Sequence, residues 1–157
     1  MLLSKSCMYG LRASVLLASR ENAEFVTIRE LSDELNISFY FLTKVLQQMT
    51  KANLLESYKG PNGGVKLAKP AGEIRFMDVV IAIDGLKSLN ECALGLPGCG
   101  VMKPCPLHEQ WSALKTDMLN MMESITLKQL SIHERTAKAS DQTIDIKNRI
   151  NTFFEPN

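Results

Sequence analysis

The sequence predicts a mainly α-helical fold with a small β wing, and three observations carry that prediction. Apolar residues recur at helical spacing along much of the chain. Two short helical patterns, separated by the turn Asn36-Ile37, are followed directly by two β-prone runs around Gly60-Pro61-Asn62-Gly63-Gly64. Further on, a longer helical pattern repeats its apolar residues at alternating steps of four and three. Together they describe a winged helix-turn-helix domain joined to a long dimerisation helix.

The elements follow in order. A first helix is expected over Lys5 to Arg20, with Met8, Leu11, Val15 and Ala18 as its buried stripe. Thr27 with Glu30 three residues on reads as a capping box, starting a short helix that ends near Leu35. Ser38 is placed to cap a third helix from Phe39 to about Ala52. In that helix Phe39, Leu42, Val45, Leu46 and Met49 fall on one side and should pack inward. Tyr40, Thr43, Lys44, Gln47, Gln48 and Lys51 fall elsewhere, and nearly all bring hydrogen-bond donors. Such groups on an outward helix face can reach base edges in a major groove, although any surface helix is polar on one side.

Leu54 to Lys59 and Val65 to Leu67 read as the two strands of the wing, with Lys59 at its tip. The glycines of the turn are expected to let the backbone approach a sugar–phosphate chain and donate N–H groups to it. A phosphate-binding P-loop is disfavoured, because no Lys-Ser/Thr ending is present and a strand follows. Phe76 to Asp84 should form a short, mostly buried helix stopped by Gly85. Pro106 suits the first turn of the long helix. Its seam is Leu107, Trp111, Leu114, Met118, Met121 and Ile125, which fits pairing with a second copy or packing on the chain's own domain. The resulting organisation is a DNA-binding domain over 1–85, a cysteine-rich loop over 86–105, the dimerisation helix over 106–131 and a weakly patterned tail over 132–157.

A chain of 157 residues with 45% apolar content can build one core. MLLSKSCMYG holds no apolar run long enough for a signal peptide, so a cytoplasmic setting is expected. The net charge of +1 hides a local imbalance: from Lys44 to Arg75 six bases face two acids. That is a candidate phosphate-facing surface, or simply a solvated one.

The most chemically specific feature is Cys92, Cys99, Cys105 and His108, spaced C-x6-C-x5-C-x2-H among glycines and prolines. Three soft thiols and an imidazole suit zinc, copper(I) or an iron–sulfur cluster. A structural zinc site usually brings its cysteines in closer pairs, so the gaps argue against it. The plain alternative is a loop of uncoordinated cysteines or a disulfide. In a reducing compartment, clustered thiols favour metal or redox chemistry.

The opening S-K-x-x-x-Y-G-L-R-A (Ser4 to Ala13), the Ile37-to-Met49 helix and the wing Lys59-Gly-Pro-Asn-Gly-Gly-Val65 resemble the Rrf2 family of bacterial transcription regulators. Asp78 and Asp84 after the wing are also typical. The resemblance covers Leu3 to about Leu130 and implies a homodimer that binds a double-stranded DNA operator. The cysteine triplet is similar to the iron–sulfur branch of the family, and His108 to its Isc type. That implies a [2Fe–2S] cluster held by Cys92, Cys99, Cys105 and His108. The nitric-oxide-sensing branch uses a [4Fe–4S] cluster and a carboxylate from the first helix, where this chain reads Ser6-Cys7-Met8. Cys7 is then the alternative fourth ligand. Two departures stand out: the first cysteine gap is six where five is common, and Thr43 stands where the Isc type has a glutamate.

The resulting expectation is a non-enzymatic, homodimeric regulator that senses iron–sulfur, redox or nitric oxide status. Ser38, Tyr40, Phe41, Thr43, Lys44, Gln47, Lys59, Gly60 and Pro61 are its candidate DNA contacts. No catalytic dyad, nucleotide fingerprint, membrane span or small-molecule substrate is expected. The rival readings are a metal-free regulator that senses oxidants through disulfides, and an iron–sulfur electron-transfer protein.

Overall fold

The computed structural model describes residues 3–20, 24–61, 63–86, 92 and 104–132. Ser4 begins the first helix, α1 (Lys5–Ser19), by accepting a hydrogen bond from the Cys7 N–H at 3.0 Å. The buried face of α1 is broader than the expected stripe. Cys7, Gly10, Leu11, Ser14 and Leu17 are buried, while Met8, Val15 and Ala18 are only half-buried. The reason is that α1 is covered on more than one side, by the third and fourth helices and by the wing. Ser14 is accommodated there by donating its hydroxyl to the Gly10 carbonyl at 2.8 Å.

Helix α2 (Ile28–Leu35) starts at Thr27, whose side chain accepts from the Glu30 N–H. Only this half of the expected capping box forms. The Glu30 carboxylate turns instead to Arg20, which also holds Glu34, at 2.7 and 2.8 Å. Asn36 ends α2 in the left-handed conformation, φ 52° and ψ 48°, a geometry asparagine tolerates. The chain then enters α3 (Phe39–Lys51), which buries Leu42, Val45, Leu46 and Met49, whereas Phe39, expected inward with them, is 45% exposed in the first turn of the helix.

Strands β1 (Leu55–Tyr58) and β2 (Gly64–Leu67) pair antiparallel, Leu55 opposite Leu67 and Tyr58 opposite Gly64. Val26 adds a short third rung that the sequence reading missed, exchanging two 2.9 Å hydrogen bonds with Val65. This rung ties the wing to the chain between α1 and α2. Gly64 is required there, since a Cβ would lie 2.2 Å from the Val26 carbonyl oxygen.

Helix α4 (Phe76–Ile83) packs on α1 and α3. The Asp78 carboxylate accepts from the Arg75 N–H at its start. Helix α5 (His108–Ser124) packs on α4. The expected single helix over 106–131 is in fact two. Ile125 is extended, Arg75 pairs with Thr126 as a β-bridge, and residues 127–132 are helical again. Leu31, Leu42, Leu46, Ile74, Val79, Met122 and Leu127 lie at the centre of the one core that these elements share. The expected tail after Ile132 lies outside the described residues.

Candidate nucleic-acid interface

The surface between α3 and the wing is a cleft of about 580 Å³. Its floor is apolar, with Ile28, Leu46 and Val65, and its walls hold the Phe39 and Tyr58 rings. Arg29, Lys51 and Lys59 also border it, and none of its described lining residues is acidic. The nearby acids are drawn off: Glu30 and Glu34 pair with Arg20, and Glu56 pairs with Lys66 at 3.2 Å. Three cations and no carboxylate among the described lining residues make a positive furrow, which a phosphodiester chain complements.

Each sequence-predicted contact now has a place. Ser38 holds the N-cap position of α3 but makes no side-chain cap bond. Its exposed hydroxyl and the first-turn N–H groups therefore remain for an outside acceptor. Thr43, Gln47, Lys59 and Gly60 line the cleft. Tyr40 is 70% exposed outside that lining, and the Lys44 ammonium lies 4.5 Å above its ring. Pro61 is exposed at the wing tip.

Phe41, half-buried, packs edge-on against Tyr9 of α1 with ring centroids 5.6 Å apart. In the wing, Gly63 closes the turn by donating its N–H to the Gly60 carbonyl at 2.8 Å, and Gly64 serves the approach to Val26.

Arg29 is the residue that the sequence reading missed. It lies in the first turn of α2, where the helix dipole disfavours a cation, and that misplacement was the available signal. Its guanidinium stands 5.4 Å from the Phe39 ring, so it is held at the edge of the cleft by stacking on α3.

Of the thiol and imidazole donors, Cys92 and Cys105 are half-buried and His108 opens α5. The His108 N–H donates to the Cys105 carbonyl at 2.9 Å, so one turn carries both residues. Cys99 lies outside the described residues. Among the described residues no group of three or more metal-binding side chains is assembled. Cys7 is wholly buried, and its thiol is pushed up to about 12 by burial and then by the Asp84 carboxylate. A protonated thiol enclosed in the core is a poor ligand, which counts against the Cys7 alternative.

Comparison with known proteins extends the picture. A family model described as Rrf2, iron-dependent transcriptional regulator, matches residues 3–133. Among solved structures, CymR, the global cysteine regulator of B. subtilis, aligns with TM-score 0.70 and 20% identity, covering 83% of this chain and 96% of that one. The oxidized form of Staphylococcus aureus CymR gives 0.66 and 26%, covering 83% and 96%. IscR of T. potens gives 0.68 and 21%, covering 88% and 90%. The first and last of these share the fold. With the model matched over most of its length, and a helix-turn-helix and wing in the places described, the chain belongs to the Rrf2 family of transcriptional regulators.

Proposed function

We propose that this regulator is a homodimer that binds operator DNA through α3 and the wing, and that an iron–sulfur cluster on its cysteine loop controls that binding. The observation that carries the DNA part is the cleft of about 580 Å³, bordered by Arg29, Lys51 and Lys59 and by no acid among the described residues. One strand of a duplex lying there would place α3 in a major groove and the wing against the neighbouring minor groove. Ser38 and the open N-terminus of α3 would hold a phosphate. Tyr40, Thr43, Lys44 and Gln47 would face base edges, with Lys59, Gly60 and Pro61 at the backbone.

Two copies are needed because successive half-sites lie about 34 Å apart on one face of the duplex. Leu107, Leu114 and Met121 support the pairing: they recur every seven residues along α5 and remain 40, 63 and 50% exposed. A stripe of that spacing suits a second copy of the same helix.

For the cluster, the donor chemistry fits. Cys92, Cys99, Cys105 and His108 supply three soft thiolates and one imidazole. Cys105 and His108 share the turn that leads into α5, the element bearing the exposed stripe. A [2Fe–2S] centre is favoured over [4Fe–4S], and when bound it would make the protein responsive to oxidants, nitric oxide or iron supply. Ordering of the loop would then be felt at the start of the dimer helix. The relatives also support a second reading. CymR is named a cysteine regulator and has been solved in an oxidized form, so metal-free thiol chemistry on the same loop is the alternative.

No helix among the described residues is long and apolar enough to cross a membrane. The test is anaerobic purification with iron and sulfide analysis, then duplex binding across a salt series for cluster-loaded and stripped protein. The expected result is equimolar iron and acid-labile sulfide, lost in each of Cys92→Ala, Cys99→Ala and Cys105→Ala, with a different operator affinity after stripping. Lys59→Ala should weaken all duplexes alike and flatten the salt dependence. Colourless protein whose operator affinity follows thiol oxidation would establish the metal-free reading instead.

A further inference from the structure

The wing is a two-stranded ribbon, and a ribbon of that kind holds its shape only if something packs against it. Part of the support is the backbone pairing of Val26 with Val65. The rest is aromatic. Glu56 and Tyr58 share one face of β1, opposite Lys66 and Gly64 of β2. The Tyr58 ring meets Phe25, from the segment before α2, with centroids 5.8 Å apart and planes inclined at 46°. From the other strand, the Lys66 ammonium stands 5.0 Å from the centre of the Phe25 ring, and Lys66 is itself paired with Glu56. Phe25 is therefore held by both strands of the wing. The Tyr58 ring also lies against the turn, since a Cβ on Gly60 would come within 2.9 Å of its Cε1 atom.

Lys59 sits between Tyr58 and Gly60 in the chain, exposed at the cleft. The ring that fixes Gly60 belongs to the residue on the other side of Lys59, so the backbone is set on both flanks of that cation. An ammonium group aimed in advance binds a phosphate at less entropic cost than one that the duplex must order. The Tyr58 hydroxyl has no part in this support, which needs the ring alone. We propose that Phe25 and Tyr58 form a brace that fixes the wing, and that Tyr58 is a positioning residue for Lys59. The proposal rests on the DNA-binding reading above and adds the device that aims its wing.

The test uses the full chain and two readouts: amide exchange of Gly63 in the free protein, and duplex binding across a salt series. Tyr58→Ala and Phe25→Ala should each speed Gly63 exchange several-fold, while the α3 amides exchange as in the parent. Both variants should weaken specific and scrambled duplexes alike, by about two- to tenfold, the range that an aromatic pair spans. Both should flatten the salt dependence as Lys59→Ala does. Adding Lys59→Ala to Tyr58→Ala should then cost much less than Lys59→Ala costs alone. Tyr58→Phe, which keeps the ring, should recover most of the affinity that Tyr58→Ala loses. If Tyr58→Phe is as weak as Tyr58→Ala, the hydroxyl meets DNA itself and the brace is overturned. Unchanged Gly63 exchange in both alanine variants would overturn it too, as would a Lys59→Ala loss of equal size in either background. A parent that retains no duplex at any salt concentration removes the DNA-binding reading and the role of Lys59 with it, whereas the exchange rates still decide the brace.

Discussion

Cys7 and Cys105 show how one side chain takes opposite roles from its surroundings. Cys105 is half-buried on the turn before α5, within reach of the loop chemistry. Cys7 is sealed between α1 and its neighbours, and burial together with the Asp84 carboxylate pushes its thiol up to about 12. The neutral thiol is therefore the form that the fold stabilises. The unfolded chain releases that proton in the ordinary thiol range, near 8.5. Its contribution to stability is thus complete below that range and declines as pH rises from there toward about 12. Two measurements check this. Iodoacetamide at mildly alkaline pH should leave Cys7 unmodified in the native protein and modify it in denaturant, read by mass spectrometry of digests. Denaturant midpoints should fall on the alkaline side, and fall less steeply in Cys7→Ala. Modification of Cys7 in the native state at the denatured rate would contradict the burial argument.

Among the elements, α1 and α4 are joined end to end at a point where two caps coincide. The Asp84 carboxylate, at the end of α4, accepts from both the N–H and the hydroxyl of Ser4. Ser4 in turn caps α1 through the Cys7 N–H. Ser4→Ala removes the cap and leaves Asp84 without its hydroxyl donor, so a loss of about 1–2 kcal/mol is expected. Asp84→Asn keeps the shape and weakens the charge-assisted bonds, and should cost a similar amount. Because both changes act on the same hydroxyl–carboxylate bond, the double variant should cost clearly less than the sum, as read by urea unfolding with an unchanged m-value. Additive losses would mean that the two residues act separately. The contact joins residues 80 positions apart, so the chain's order conceals it. What the sequence did reveal is local. Thr27 signals the start of α2, and the apolar spacing of α3 identifies Leu42, Val45, Leu46 and Met49, which it buries, but adds Phe39, which stands exposed at the cleft. That spacing does not show which outward strip borders the wing. Arg29 escaped for the same reason, since it reaches the cleft from another helix. The spacing of Cys92, Cys99, Cys105 and His108 is legible in the sequence, whereas the described residues bring together Cys105 and His108, on one turn, and assemble no group of three.

For the whole molecule, α5 has one face in the core and another that the proposed dimer would cover with a second copy. The apolar pattern alone mixes them, because α5 is apolar on two sides. Met118, Leu119 and Met122 pack inward on the shared core, Met122 fully buried. Leu107, Leu114 and Met121 stand outward. The alternating seam read from the sequence therefore splits into an inward set and an outward heptad, and Met118 moves to the inward one. Residues 127–132 complete the arrangement: Leu127 donates its N–H to the Ile74 carbonyl at 2.9 Å, fixing the far end of α5 to the segment after the wing. In the proposed dimer, a movement of α5 against a second copy would be carried into the DNA-binding domain through this link. The test of this partition is a pair of variants with opposite outcomes. Leu114→Glu with Met121→Glu should leave the protomer folded, because neither side chain is in its core, while placing four carboxylates in the paired interface. Sedimentation should show a monomer with unchanged helical circular dichroism and lost affinity for a two-half-site duplex. Met122→Ala should do the reverse, lowering protomer stability by about 2–5 kcal/mol without touching the outward stripe. A double glutamate variant that still sediments as a dimer would place the pairing surface elsewhere, and the heptad on α5 would then need another partner.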